Sequence, residues 1–486
     1  MIDFRPVMLI VGTLLMLLSA AMLVPLMIDL YHGEDNYRHF VTSCFITSFF
    51  GFSLYLANRK KQVAETTLNI KTAFLLTSIT WLVLAIFAST PFYLASIGAS
   101  YTDAFFEAMS GLTTTGATII NDLQGQSKGI LMWRALLQWF GGIGIIVMAM
   151  SILPLLKIGG MQLFKTESSE KANNVLPRAT QIAGAITSIY LTFTVICILL
   201  MWSVAGLGWF DAVTHSMTTI ATAGFSNYDS SIAYFDNVRL EIIMMIFMLI
   251  SAMPYVVYIK ATHGKYESIL KDSQVRLFIA IVAISIMLVA AWLMVEFDIT
   301  FLEALRKASF NIISISTTSG FATDDYYQWG SFVVIFVYLL CVMGGSTGST
   351  TGGIKVFRYV VLIENAKAQM FRLIQPHGVF KPKFNENPIS DEATASVLSY
   401  IVLFAVCFCA VAILLSLTGL DYTTSMSAAA ASLANLGPGL GETIGPAGNY
   451  SSLTEFAKWV CSAAMLVGRL EIFTILILLT PYFWKN

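Results

Sequence analysis

Four short polar turns decide the fold: Thr113–Thr118 (TTTGAT), Thr222–Ser226 (TAGFS), Thr317–Thr323 (TTSGFAT) and Asn435–Gly439 (NLGPG). Aligned on Gly116, Gly224, Gly320 and Gly437, they recur at separations of 108, 96 and 117 residues. Each sits in the same order of parts: a long apolar span, a short semi-apolar segment, the Gly-containing turn, then a second long span. Recurrence at that interval is the signature of an internal repeat. Upstream, Asp103 and Asp211 each stand 13 residues before their glycine and open the segments DAFFEAMSGL and DAVTHSMTTI. A ten-residue helix is about 15 Å long, half the thickness of a bilayer core. Asp is a favoured N-cap, so these segments read as re-entrant half-helices beginning at the two aspartates, with less regular counterparts at 302–315 and 425–434.

The surrounding composition calls for a membrane. Of 486 residues, 57% are hydrophobic and only 12% charged, against roughly 25% charged in an average soluble domain. A formal charge of −1 removes the basic excess of a nucleic-acid binder. Ten stretches approach the roughly 20 apolar residues of a spanning helix: 7–30, 40–57, 72–97, 131–156, 180–208, 240–259, 277–296, 331–363 with an interruption, 395–418 and 459–480. The first is too long for the apolar core of a signal peptide. With both termini in the cytoplasm, 20 of the 28 Lys and Arg fall on that side, chiefly in the returns 58–71, 157–178, 260–276 and 355–383, as the positive-inside rule requires. Acidic residues gather outside, 17 against 10, which raises the local cation concentration at an external mouth. The six cysteines lie in apolar stretches without metal-ligand spacing and read as buried free thiols.

Irregular backbone at mid-membrane depth is tolerated where it is buried in protein or lines a watery cavity. Four such turns around one axis make a ring of carbonyls. Half-helix C-termini aimed at the same centre add partial negative charge, and together these replace the hydration shell of a monovalent cation. No turn supplies the carboxylates of a divalent-cation filter. The expected ligands are therefore main-chain oxygens of Thr114, Thr115, Thr222, Ala223, Thr318, Ser319, Asn435 and Leu436, beside Gly116, Gly224, Gly320 and Gly437, and the expected ion is K⁺-like. The fold class that follows is an all-α polytopic membrane protein: two N-terminal helices (1–60), then four helix, half-helix, helix repeats (61–178, 179–272, 273–390 and 391–486) forming a single-chain pseudo-fourfold ion pore.

Two further features lie on the inner side of the turns. The eighth span is broken by Met343–Gly353 (MGGSTGSTTGG), with five glycines and five hydroxyl residues, which cannot remain an ordinary lipid-facing helix and stands where a hinge would be useful. Its partial likeness to a nucleotide-binding loop fails at Ile354, where that motif requires Lys. Arg469 lies inside the last span and must face protein or water. It is expected to contact the 343–353 loop or to stand in the pore as a barrier, the alternative being an ion pair with a carboxylate on a neighbouring helix. His215 and the four loop histidines read as ordinary packed or solvated rings, and no nucleophile, base and acid constellation points to an enzyme.

These residues resemble the TrkH branch of the Trk/Ktr/HKT superfamily of potassium-uptake proteins over about 40–486, and the N-terminal spans resemble the TrkH-type extension. The resemblance implies one filter glycine per loop, here Gly116, Gly224, Gly320 and Gly437, and K⁺ preference, since relatives that favour Na⁺ carry Ser where this chain has Gly116. The NLGPG loop departs from the family pattern. The resemblance further implies that Gly344, Gly345, Ser346, Thr347, Gly348, Ser349, Thr350, Thr351, Gly352 and Gly353 form an intramembrane gate together with Arg469. It implies a homodimer in a bacterial inner membrane, a cytosolic TrkA-like nucleotide-binding regulatory subunit docked on the basic returns, and K⁺ (with Rb⁺ permeant) as substrate without a covalent cofactor. A K⁺/H⁺ or K⁺/Na⁺ symporter using alternating access is the competing reading, with Glu471 as its one mid-depth carboxylate.

Overall fold

The computed structural model describes residues 4–59, 70–95, 97, 99–151, 175–385 and 387–485, and for 149–151 and 175–180 the backbone alone. Most of the return 157–178 and of 58–71 lies outside the described residues.

Within the described residues each of the ten apolar stretches is largely helical. Seven helices among the described residues are long and apolar enough to cross a bilayer, and two further pairs qualify as bent spans. Many large apolar side chains face outward, among them Phe45, Ile284, Val295, Leu339, Val402 and Ile413, which is unfavourable in water and natural in lipid. The N-terminal unit is a hairpin of Arg5–Ala21 and Leu23–His32 against Tyr37–Asn58. Gly12 and Gly51 form its crossing point: a Cβ on Gly12 would lie 2.8 Å from the Gly51 carbonyl oxygen, the close backbone approach that small residues permit in membranes. Asp29, wholly buried in this hairpin, accepts the Gly129 N–H at 2.6 Å near the start of Lys128–Ser151. The N-terminal unit is thereby docked onto the first repeat through a helix N-terminus.

The repeats follow in order. The first is Ile70–Ala88 with Thr90–Leu94, half-helix Tyr101–Leu112 and Lys128–Ser151. The second is Val175–Ser203, half-helix Trp209–Ile220 and Val238–Ser251 with Tyr255–Thr262, so the expected boundary at 178 falls inside a helix. The third is Ser273–Phe297, half-helix Phe301–Ser316 and Ser331–Cys341 with Val356–Ile374. A short antiparallel hairpin pairing Lys383 with Pro388 leads to the fourth, Asp391–Ser416, half-helix Tyr422–Ala434 and Glu455–Arg469 with Ile472–Leu476.

Three expectations need correction. Asp103 is the third residue of its half-helix, not the cap: Ser100 caps, and the two exchange bonds in a capping box. Asp211 occupies the same first-turn place behind Gly208, where a carboxylate is favoured by the helix dipole. The third and fourth half-helices are as well capped as the others, by Thr300 and Asp421, and begin at Phe301 and Tyr422. Second, the spans 240–259 and 459–480 are bent, by 89° and 110°. Pro254, which has no N–H to give, ends the first arm; Glu471, at φ 63°, ends the second. Third, of the six free cysteines only Cys197, Cys341 and Cys461 are buried; Cys44 and Cys407 are half-buried and Cys409 is exposed.

Candidate functional site

The four half-helices end in one conformation. Thr114, Thr222, Thr318 and Asn435, each two residues before its glycine, are left-handed at φ 53°, 49°, 54° and 54°. The next N–H in each loop returns to its half-helix: Thr115 to the Ser110 carbonyl at 2.9 Å, Ala223 to Thr218 at 3.0 Å, Ser319 to Ser314 at 2.8 Å and Leu436 to Ala431 at 2.9 Å. This is the bonding of a Schellman-type helix end, with Thr in three of the left-handed positions although β-branched residues rarely adopt it. Gly116, Gly224 and Gly320 are also at positive φ, 85°, 80° and 81°, whereas Gly437 is not, so the fourth loop departs in backbone as it does in sequence.

The loops close a ring in chain order. A Cβ on Gly116 would stand 2.1 Å from the Ala223 oxygen, and one on Gly224 would stand 2.2 Å from the Ser319 oxygen. On Gly320 it would meet Pro438 Cδ at 2.9 Å, and on Gly437 the Gly116 carbonyl carbon at 2.7 Å. Hydrogen bonds sew the seams. Asn435 Nδ2 donates to Thr115 Oγ1 at 3.1 Å. Tyr450 joins loops 4 and 1, donating its hydroxyl to the Gly437 oxygen at 3.2 Å and its N–H to the Thr118 oxygen at 2.9 Å. Ile232 N–H reaches the Ala322 oxygen at 3.1 Å and Ser231 Oγ accepts the Ala322 N–H at 3.2 Å, tying loops 2 and 3.

Beneath this ring lies the 343–353 segment. It begins and ends side by side, Gly344 N–H on the Ile354 oxygen at 3.0 Å and Ile354 N–H on the Val342 oxygen at 3.0 Å. Its tip touches the filter turns: Thr222 Oγ1 donates to Thr350 Oγ1 at 2.9 Å and Thr318 Oγ1 accepts the Gly352 N–H at 2.7 Å. The break at Pro254 receives it. Ser346 N–H bonds the Ala252 oxygen at 2.9 Å, Tyr255 N–H bonds the Gly348 oxygen at 3.0 Å, and Gln274 accepts the Thr347 N–H at 2.9 Å. Two broken spans thus satisfy each other's backbone at membrane depth.

Arg469, 3% exposed, donates Nη1 to the Thr350 oxygen at 3.0 Å, the contact expected of it. The ion pair belongs to its neighbour: Glu471 holds Arg358 at 2.6 Å, with Arg358 also 3.5 Å above the Tyr400 ring. Glu471 is not the one buried carboxylate. Among the described residues Asp29, Glu107 and Glu241 are buried too, Glu107 paired with Arg134 at 2.7 Å and Glu241 with Arg306 at 2.6 Å. Sequence reasoning missed Arg134, which lies inside the 131–156 span and is 1% exposed. At the half-helix starts, Lys458 holds Asp103 at 2.6 Å, and hydrogen bonds from Thr424 hold the Asp421 carboxyl below its ordinary range. His215 is packed, its Nδ1 on the Asp211 oxygen at 2.9 Å and Nε2 on Ser226 Oγ at 3.1 Å.

Fold and site together define a multi-pass membrane protein with four pseudo-equivalent re-entrant loops closed into a ring. A family model described as TrkH, cation transport protein, matches residues 37–485, and the chain belongs to that family. It is 39% identical to the Trk system potassium uptake protein TrkI of Halomonas elongata over 484 residues, 99% of this chain and 97% of the relative. It is 36% identical to the Trk system potassium uptake protein TrkH of Escherichia coli K12 over 489 residues, covering 99% and 100%. The crystal structure of the potassium transporter TrkH from Vibrio parahaemolyticus superposes with a TM-score of 0.91 at 37% identity, covering 100% of both chains.

Proposed function

We propose that this chain is the transmembrane, K⁺-conducting subunit of a Trk-type uptake system in a bacterial inner membrane, with both termini cytoplasmic. The observation that carries the reading is the ring: four left-handed turns in one register, each glycine packed against the next loop's backbone. Main-chain oxygens of Thr114, Thr115, Thr222, Ala223, Thr318, Ser319, Asn435 and Leu436, with the four glycines, line the ion path, and K⁺ is selected by the number and placement of these carbonyls. The fourth glycine contributes differently, since its oxygen accepts from Tyr450. Gly344 to Gly353 close the path from below, and Arg469, bonded to Thr350, adds an electrostatic barrier. Opening requires that the loop leave Thr222 and Thr318. The working assembly is a homodimer with a TrkA-like cytosolic subunit on the basic returns, and the repeats divide as described, the second including the whole of Val175–Ser203.

A coupled symporter would need a mid-depth carboxylate free to load and release a proton. The buried carboxylates described here are engaged, Glu471 with Arg358 and Glu107 with Arg134, which favours a pore. The test is cation flux into liposomes holding the purified protein alone, comparing K⁺, Rb⁺, Na⁺ and Li⁺. Passive K⁺ and Rb⁺ flux exceeding Na⁺, with the preference weakened by Gly116→Ser, is expected. Flux that requires an imposed proton or sodium gradient would replace the pore with coupled transport.

A further inference from the structure

Behind the first two loops stand two side chains one turn apart on Lys128–Ser151, and therefore on one helix face. Gln138, wholly buried, spans the second filter glycine: its Nε2 donates to the Ala223 oxygen at 2.6 Å and its Oε1 accepts the Phe225 N–H at 3.1 Å. Arg134 stands over the Phe225 ring at 4.0 Å. It sends Nη1 to the Ser226 oxygen at 2.7 Å and Nη2 to Thr118 Oγ1 at 3.2 Å, so one guanidinium grips loop 2 and loop 1 together. Its Nε is held by Glu107 at 2.7 Å. Glu107 in turn accepts the Ile119 N–H at 3.0 Å and the Thr118 hydroxyl at 3.0 Å. The third loop is fastened by side chains of its own half-helix, Ser314 Oγ donating to the Phe321 oxygen at 2.6 Å and Asn311 to Thr323 at 3.0 Å, and is bonded from the second repeat at Ala322. The second is fastened from another repeat, at every residue from 223 to 226 except the glycine and through main-chain atoms.

We infer that Arg134 and Gln138 are positioning residues that set monovalent-cation selectivity from behind the ring, by fixing the direction of the Ala223 carbonyl and the seam between loops 1 and 2. This rests on the filter reading above. A carbonyl oxygen has two lone pairs; Gln138 takes one of the Ala223 pairs and leaves the other to the ion, so the amide both aims the ligand and moderates its field. A carbonyl released from that bond is free to follow a smaller ion, and discrimination between K⁺ and Na⁺ depends on the placement and field of such ligands. The planar fork of Arg134 matters for the same reason: a lysine keeps the charge opposite Glu107 but cannot hold two acceptors on different loops in a fixed geometry.

The experiment is a paired measurement of K⁺ and Na⁺ flux in liposomes for Gln138→Met, Arg134→Lys and, in parallel, Gly224→Ser. We expect the K⁺/Na⁺ flux ratio to fall at least fivefold in both bracket variants, with Na⁺ flux rising relative to K⁺. A merely structural role lowers both fluxes together and leaves the ratio alone. If Gly224→Ser lowers the ratio while neither bracket variant does, the inference is wrong and the filter reading stands; if Gly224→Ser leaves it unchanged, both are overturned. Should Gln138→Met fail to yield folded protein, Arg134→Lys, which retains charge and bulk, decides the question by the same ratio.

Discussion

Replacing Gly116 by alanine is the most demanding small change that can be made to the ring. The residue is at φ 85°, and the added Cβ would stand 2.1 Å from the Ala223 oxygen and 3.1 Å from its carbon. An ordinary carbon–oxygen contact begins near 3.4 Å, so the oxygen must retreat by more than an ångström. It cannot do so quietly, because Gln138 holds it at 2.6 Å. Alanine in the left-handed region costs about 1–2 kcal/mol by itself. Because about 1.4 kcal/mol is a factor of ten, a displacement of comparable cost that is shed by moving one coordinating oxygen lowers the K⁺/Na⁺ flux ratio by about tenfold. Gly419→Ala is the matched control. Gly419 has φ 85° and nothing within 4 Å of its added Cβ, so it carries the conformational cost without the displacement. Flux of both ions, measured in proteoliposomes beside thermal unfolding in detergent, separates the two contributions. Gly116→Ala should lose more stability than Gly419→Ala, by the cost of the displacement, and the ratio should fall in Gly116→Ala alone. A wild-type ratio in Gly116→Ala, or an equal fall in Gly419→Ala, would refute the reasoning.

Arg469→Ala should raise K⁺ flux through the isolated protein without loss of K⁺ over Na⁺ preference, because it removes the Thr350 contact and the embedded positive charge below the ring; unchanged single-channel conductance and open probability would count against it. Arg358→Met leaves Glu471 buried without its partner and should cost about 3–5 kcal/mol, read as lower yield and an earlier unfolding transition. The double variant Arg358→Met/Glu471→Leu should recover most of that loss. Asp29→Ala removes the acceptor at the start of Lys128–Ser151 and should cost about 0.5–2 kcal/mol in thermal unfolding, while the K⁺/Na⁺ ratio, set some distance away, remains as it was.

The ring was legible because its register is written in glycine spacing, and the spans because apolar length is a nearly sufficient signal for crossing a bilayer. What escaped depended on side chains meeting across repeats. The bends at Pro254 and Glu471 sit inside runs apolar and long enough to read as unbroken spans; a proline is visible, but whether a helix turns aside at it depends on the 343–353 loop arriving to take its orphaned backbone bonds. Asp103 drew attention as a cap because Asp is a favoured one, while Ser100, three residues earlier, completes a capping box whose pattern was present and overlooked. Arg134 was missed for a similar reason. Its position beside Trp133, within the 131–156 span, is the same signal that singled out Arg469, and it went unused. Gln138 gave no signal at all, since an uncharged amide in an apolar helix is distinguished by its partners alone.

The central claim is that four loops from one chain coordinate K⁺ on their common axis. Anomalous diffraction from crystals grown in Rb⁺, with flux measured on the same preparation, tests it directly. The account predicts anomalous density on the axis between Gly116, Gly224, Gly320 and Gly437, within coordinating distance of the Thr115, Ala223, Ser319 and Leu436 oxygens, and its loss when Na⁺ replaces Rb⁺. Rb⁺ bound elsewhere, or an empty ring in protein that conducts Rb⁺, would contradict it.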